Sequence, residues 1–408
     1  MNIFLARQPI FDRNLCAVGY ELLYRAGAEN SAAGMPEGSA ATMQVLVNAF
    51  SEIGLENITS GLPALVNITQ SMLSQGLLPK GLQKLLIPEV LEDVLVNSNV
   101  TQEVKNLLAL GYRVALDDFV YATQWNPLIP LASFIKLDVR ALTPAGVEEQ
   151  LALLNSVADV SGKLLAEKVE THEEYELYRN MGFDFFQGYF LCKPQIMSGR
   201  SIPASYLVIL SLLAELANDD YDVRRVEQLI CQDPRLSYKL LRVVNSASFG
   251  FARSIKNIGE TVIVLGAYEL RRWAGMLALS NVDSKPNELV VTAIVRAKMC
   301  ELLAARLNYG EPSTCFTAGL LSLLDALLDQ PMQALVEKIP LSSDLESALL
   351  ERSGKIGRLL SVVEAYEAGR WQDPSSNTLS NPFTADILLE SYMGALQWSE
   401  TLKAALFH

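Results

Sequence analysis

Seven short segments in the first half of this chain each run from apolar residues into a polar or ionisable tip. GYELL carries Glu21, PALVNI carries Asn67, and LLIPEVLED carries Glu89 and Glu92. YRVALDDF carries Asp117 and Asp118, SFIKLD carries Lys136 and Asp138, KLLAEKVE carries Glu167 and Glu170, and FDFFQGYF carries Gln187. Most are runs of Val, Leu, Ile and aromatics, the pattern of parallel strands buried on both faces. Between several of them, apolar residues recur at three- and four-residue spacing, over Ala40 to Ile53, Val100 to Leu110 and Gly146 to Val160. Gly111 stands where a helix end favours a left-handed residue, directly before YRVALDDF. Strand–helix alternation with polar residues at the C-terminal ends of strands is how a (β/α) barrel builds an active site. Residues 1–197 are therefore expected to form an α/β, TIM-like (β/α) barrel.

The pattern stops at MSGRSIP, residues 197–203. Beyond it, YLVILSLLAELA, VRRVEQLICQ, RLSYKLLRVVNSA, AIVRAKMCELLAARL and AGLLSLLDALL carry helical apolar faces, with Asp233-Pro234 breaking the second from the third. QDPSSNTLSNP at 372–382 reads as a loop and the last segment, to His408, as one more amphipathic helix. Residues 198–408 are expected to form an all-α domain.

Composition limits the partners. The chain has 408 residues, 50% of them hydrophobic and 19% charged, enough for two or three domains with large cores. A formal net charge of −13 opposes nucleic acid and anionic membranes as partners. A small anionic ligand then needs local cations or metal ions to offset the field. The five cysteines, Cys16, Cys192, Cys231, Cys300 and Cys315, form no CxxC pair and read as reduced thiols. The N-terminal MNIFLARQPIFD lacks the apolar core of a signal peptide, and no run of 18 uncharged apolar residues exists. These features lead to the expectation of a soluble, cytoplasmic protein.

Adjacent carboxylates such as Asp117 and Asp118 at the end of an apolar strand are costly unless a cation lies beside them. Glu21, Asn67, Glu92, Asp117, Asp118, Glu167 and Glu170 offer oxygens enough for a two-metal site, and all-oxygen ligation favours Mg²⁺ or Mn²⁺. Such a pair of ions activates a water and stabilises both oxygens of an in-line attack on a phosphodiester. Lys136 is placed to steer or deprotonate that water, provided the metals lower its pKa. No histidine stands at any tip, which argues against zinc or non-haem iron.

In order and spacing these motifs resemble the EAL-domain family, bacterial phosphodiesterases that linearise cyclic di-GMP on a TIM-like barrel. Gln8-Pro9-Ile10 and GYELLYR are similar to that family's opening strand and its Glu-Ala-Leu-Leu-Arg signature, with Leu22 in the middle position. The resemblance implies Glu21 as a metal ligand and catalytic residue, Arg25 as a phosphate contact, and Gln8 as a further substrate contact. It implies Asn67 of VNIT as a ligand, and Glu92 of EVLED as a ligand with Glu89 as the alternative. Asp117 and Asp118 of DDF, Lys136 of KLD, and Glu167 and Glu170 of AEKVE complete the set, with Gln187 positioning the water or a metal. The match spans residues 1–195. Two departures bear on activity. The family's glycine-containing loop after DDF is replaced by VYATQWNPLIP, and Gly is replaced by Lys168 within AEKVE. Losing the glycines removes backbone freedom that a moving loop needs.

The second half resembles HDOD domains, helical relatives of the HD metallophosphohydrolases, through IPASYLVILSLLAEL, LICQDPRLSYKLLRVVNSASFG and VIVLGAYELRRW. Ser322 and Leu323 stand where an HD enzyme places its His-Asp pair, and the chain's two histidines, His172 and His408, cannot assemble an HD-type site. This half is expected to bind or transmit, engaging a protein partner.

Blander roles compete for several of these residues. Asp117-Asp118 alone reads equally well as a salt-bridged strand end, and Glu89 as a structural residue. Glu170 reads as an acid in a helix's first turn, Asp138 as a local cap, and His172 as a solvent-facing helix residue. Arg224-Arg225 and Arg271-Arg272 read as solvated charge pairs, Trp273 as core, and Asn245 as a helix stop. Two functions stay open: a cyclic di-GMP phosphodiesterase yielding pGpG, and a non-catalytic receptor or scaffold. An unrelated barrel enzyme acting on another phosphate ester is a third. The family suggests control of motility and biofilm, and a homodimer.

Overall fold

The computed structural model describes residues 3–26, 55–74, 78, 81–193, 204–217, 221–245, 255–280, 285–339, 341–371 and 382–407. The helix expected from Ala40 to Ile53, the loop at 372–381, and the boundary expected at 197/198 lie outside the described residues. The chain divides into two compact units, Met1–Phe190 and Leu191–His408.

Eight strands close the first unit into a barrel: β1 (Ile3–Asp12), β2 (Ala17–Ala26), β3 (Ala64–Ile68), β4 (Leu86–Val90), β5 (Ala115–Leu116), β6 (Phe134–Asp138), β7 (Lys163–Glu167) and β8 (Phe185–Gln187). The strands pair in chain order. From β2 to β8 they run parallel, whereas β1 is antiparallel to both β2 and β8. A tight turn joins β1 to β2, and Asp12 Oδ1 braces it by accepting from the Asn14 and Cys16 N–H groups. Helices cover several of the later crossovers. One is α1 (Ser98–Ala109), capped by the Asn97 side chain accepting from Val100 N–H; another is α2 (Pro144–Asn155), capped by Thr143. A third, α3 (His172–Asn180), opens with a reciprocal Thr171–Glu174 capping box.

Inside the barrel, side chains of alternate residues stack in layers. The lower layer is apolar: Ile10, Leu65, Ile87, Ala115 and Leu165, with Val18, Phe134 and Phe185 packed against it. A strand's side chains repeat every two residues. Two positions beyond the lower layer, the chain therefore presents Asn67, Glu89, Asp117, Lys136, Glu167 and Gln187 to the same interior. The apolar floor fixes the strands, and the polar layer rides on it.

The second unit is helical throughout its described residues. Asn287–Leu307 forms a long helix, α4, whose Leu289, Ile294, Ala297 and Leu303 are buried. Helix α5 (Pro312–Leu321) packs closely on it. A Cβ on Gly319 would lie 2.6 Å from Ala297 Cα, so glycine alone allows that approach. The helix Ile258–Ser280 breaks at Gly266, whose φ of 69° glycine accepts without strain.

A buried carboxylate cluster around Lys136

Lys136 rises from the middle of β6 into the polar layer, and none of its side chain reaches solvent. Its ammonium stands 2.6 Å from Glu89 Oε1, 2.7 Å from Asp117 Oδ1, 2.8 Å from Glu167 Oε1 and 3.5 Å from Glu21 Oε2. Carboxylates from β2, β4, β7 and the end of β5 thus converge on one nitrogen of β6. Glu21 is oriented by Gln187, whose Nε2 donates to Glu21 Oε2 at 2.5 Å and to Gln8 Oε1 at 3.0 Å. Gln187 is itself pressed into place, because Val169 N–H donates to its carbonyl at 3.0 Å. A Cβ on the next residue, Gly188, would lie 2.0 Å from Val169 O.

One end of the Asn67 amide comes within 3.2 Å of both Glu89 Oε2 and Asp117 Oδ2. With nitrogen there, it donates to both carboxylates. With oxygen there, three acceptors face one another and only a cation satisfies them. Tyr24 supports this strand tip by donating its hydroxyl to the Asn67 carbonyl at 2.9 Å. Burial, with the Glu89 charge, pushes the Tyr24 phenol up to about 12.

The electrostatics follow from four carboxyl groups and one ammonium in a closed space. Burial pushes Glu89 well above the usual carboxylate range; Lys136 opposes that shift while Glu21 and Asp117 add to it. Burial likewise raises Glu167 to about 8 against the pull of Lys136. For Lys136 itself, burial favours the neutral amine. The fields of Glu167, Glu21, Glu89 and Asp117 outweigh that and hold it charged, well above its ordinary value.

Acceptors outnumber donors here. Glu89 Oε1 touches the ammonium without a well-directed hydrogen bond, and Gln187 Oε1 is buried with no donor among the described residues. Among the described residues, Glu21, Glu89 and Asp117 form a group whose ligand atoms lie within 4.8 Å of one another. Surplus buried acceptors, all of them oxygens, fit a hard divalent cation such as Mg²⁺ or Mn²⁺.

Three of the residues expected as ligands or catalytic groups lie elsewhere. Glu92 is exposed on the turn after β4, whereas Glu89 is fully buried in the cluster. The strand ends at Val90, and Glu89 follows the inward-facing Ile87 by one strand period, so Glu89 is the glutamate that reaches the cluster. Asp118 pairs with Lys168 at 3.5 Å on the rim, and its side chain is 40% exposed. Glu170, at the end of the chain's turn past β7, pairs with Arg140. Asp138 caps the turn after β6, accepting from the Arg140 and Ala141 N–H groups at 2.8 and 2.9 Å. Arg25 lies in β2 opposite Phe4, and its side chain lies outside the described residues.

The segment after Phe119 is packed down. Phe119 meets Trp125 edge to face at 6.0 Å, Leu128 and Ile129 are buried, and Tyr121 N–H donates to Gln150 at 2.7 Å. His172 is half-buried, with its ring edge to face against Phe190 at 5.9 Å.

In the helical unit, Ser322 occupies the position noted in the sequence, and its hydroxyl accepts from Arg296 Nη1 at 3.0 Å. Arg296 also pairs with Glu367 at 2.7 Å and Glu364 at 3.2 Å, so a buried guanidinium holds this centre together. Arg272 departs from the solvated role expected of it. It is buried, with its guanidinium 5.2 Å from the Tyr268 and Phe316 rings and 4.9 Å from Trp398. Asn245 does more than stop a helix, because it accepts from and donates to the Ile255 backbone at 2.7 and 2.9 Å.

A model of the EAL domain matches residues 2–194, and a model of the HDOD domain matches residues 202–351. A Bacillus subtilis relative, uncharacterized protein YuxH, is 33% identical over 99% of this chain and 100% of its own length. The chain belongs to the EAL–HDOD proteins. This EAL–HDOD protein is also 32% identical, over 98% of its length and 93% of the relative's, to a Vibrio cholerae protein named cyclic di-GMP phosphodiesterase CdgJ. Among solved structures, "PaMucR Phosphodiesterase, c-di-GMP complex" aligns with 51% of the chain and 100% of its own, at 22% identity and a TM-score of 0.39. The family resemblance and the barrel-plus-helical architecture read from the sequence are both borne out. Among the described residues, no helix of the EAL–HDOD protein is long and apolar enough to cross a membrane.

Proposed function

We propose that this EAL–HDOD protein hydrolyses cyclic di-GMP to linear pGpG using Mg²⁺ or Mn²⁺ held in the carboxylate cluster. The supporting observation is the convergence of Glu21, Glu89, Asp117 and Glu167 on the buried Lys136 ammonium, with surplus oxygen acceptors around it. A relative 32% identical carries the name of that activity. In this reading Glu21, Asn67, Glu89, Asp117 and Glu167 hold the metal, with Glu89 in place of the Glu92 expected from sequence.

A bound divalent ion supplies a water of lowered pKa and neutralises charge on the phosphodiester. Lys136, buried among these carboxylates, orients the reacting oxygens electrostatically. Gln187, braced by Gln8, fixes Glu21 and offers a free amide oxygen to the water. Arg25 contacts the phosphate, as the resemblance implies. Water adds to one phosphorus, the bond to the 3′ oxygen breaks, and that oxygen leaves as a hydroxyl. The product is a linear dinucleotide with a 5′-phosphate. The helical half is the regulatory or protein-binding module, with Arg296 paired to Glu364 and Glu367 in its interior.

A second reading, binding without turnover, is favoured by the packed, glycine-free segment after Phe119. Incubation with cyclic di-GMP and Mg²⁺ or Mn²⁺, followed by chromatography, separates the two. Hydrolysis predicts pGpG from wild type and none from Glu21→Ala or Asp117→Ala. Binding with no product in either metal selects the receptor.

A further inference from the structure

Asp118 is one of the seven residues that the sequence offers for a two-metal site, yet its side chain lies on the rim, 40% exposed. Adjacent residues on a strand face opposite sides, and at the end of β5 the chain bends, giving Asp118 a φ of 38°. Its Oδ1 lies 3.5 Å from Lys168 Nζ, and the same ammonium donates to Asp138 Oδ2. Asp138 cannot follow a moving lysine, because its other oxygen is fixed by the Arg140 and Ala141 N–H groups at 2.8 and 2.9 Å.

Lys168 stands directly after Glu167 of the cluster, with a φ of 58°, a conformation that favours glycine. Its ammonium meets two carboxylates, Asp118 just past β5 and Asp138 at the end of β6, with 52% of the side chain exposed. A long cationic side chain in glycine's conformation, spent on the spare carboxylate of a metal cluster, has a direct chemical meaning. A fixed ammonium and a second dication compete for one carboxylate and repel each other.

We propose that Lys168 replaces a second divalent ion. Anchored on Asp138, its ammonium holds Asp118, so the cluster binds one divalent ion per chain instead of two. The inference rests on the metal reading given above and specifies its stoichiometry.

The test is Mn²⁺ binding to the full chain after EDTA stripping, followed by the electron paramagnetic resonance of free Mn²⁺. Wild type and Lys168→Arg are expected to take up one ion. Lys168→Gly, which also relieves the backbone, and Lys168→Gln are expected to take up two, the second at least tenfold tighter than any second ion in wild type. Adding Asp118→Ala to Lys168→Gly is expected to return the count to one. Two ions in wild type, or one ion in both neutral variants, overturns the proposal and leaves the metal reading standing. No Mn²⁺ bound by any form overturns both.

Discussion

Lys136 Nζ and Asp117 Oδ1 lie 2.7 Å apart inside the barrel, at the tip of a lysine that has no exposed side-chain surface. The ammonium is the countercharge of four carboxyl groups.

Lys136→Met is therefore expected to destabilise the metal-free protein by about 3–5 kcal/mol, because removing one partner leaves buried carboxylates uncompensated. Mn²⁺ is expected to recover much of that loss. Denaturant titrations in EDTA and in Mn²⁺ check both, and equal stability of variant and wild type in EDTA contradicts the arrangement.

Glu89→Gln is expected to weaken Mn²⁺ binding at least tenfold, on the order of 1.4 kcal/mol. Glu92→Gln, on an exposed turn, is expected to change it less than twofold. Calorimetric titration of the two variants decides between the neighbouring glutamates.

The raised Glu167 gives a pH dependence of defined sign. Its folded value of about 8 exceeds the ordinary 4.5, so the folded state binds the extra proton between those values. Its contribution to stability is full below pH 4.5 and is lost as pH rises through about 8. In EDTA, wild type is expected to lose stability relative to Glu167→Gln between pH 5.5 and 8.5. Metal binding expels the proton, so Mn²⁺ affinity is expected to rise over the same interval. Flat stability differences and flat affinities contradict this account.

In the helical unit, Arg296→Met leaves the buried Glu367 without the guanidinium that pairs with it, while Glu364 keeps Arg352 at 2.9 Å. A loss of about 3–5 kcal/mol is expected in denaturant unfolding of that unit. Arg296→Lys is expected to recover only part, since an ammonium cannot reproduce the fork that Nε and Nη2 present to Glu367.

Much of this was legible from alternation alone. The apolar run before each polar tip marks a strand, and a period of two carries Leu65 to Asn67, Ala115 to Asp117 and Leu165 to Glu167. The same rule, applied to Ile87, picks Glu89 over Glu92. Weighing the family motif above the strand period is what put Glu92 first. Asp118 was read as a joint ligand with Asp117, but the backbone bend at its φ of 38° and its pairing with Lys168 on the rim leave no trace in local composition. The antiparallel direction of β1 was not legible, because Gln8-Pro9-Ile10 has the same composition in either direction. Nor were the contacts of Arg272 or His172, which depend on Trp398 and Phe190, partners distant in the chain that local composition cannot supply.

The most direct measurement is turnover of cyclic di-GMP in Mn²⁺ by wild type, Glu89→Gln and Glu92→Gln, with products separated by chromatography. The account predicts linear pGpG from wild type and Glu92→Gln, and none from Glu89→Gln. Comparable pGpG from Glu89→Gln, or intact cyclic di-GMP from wild type, contradicts it.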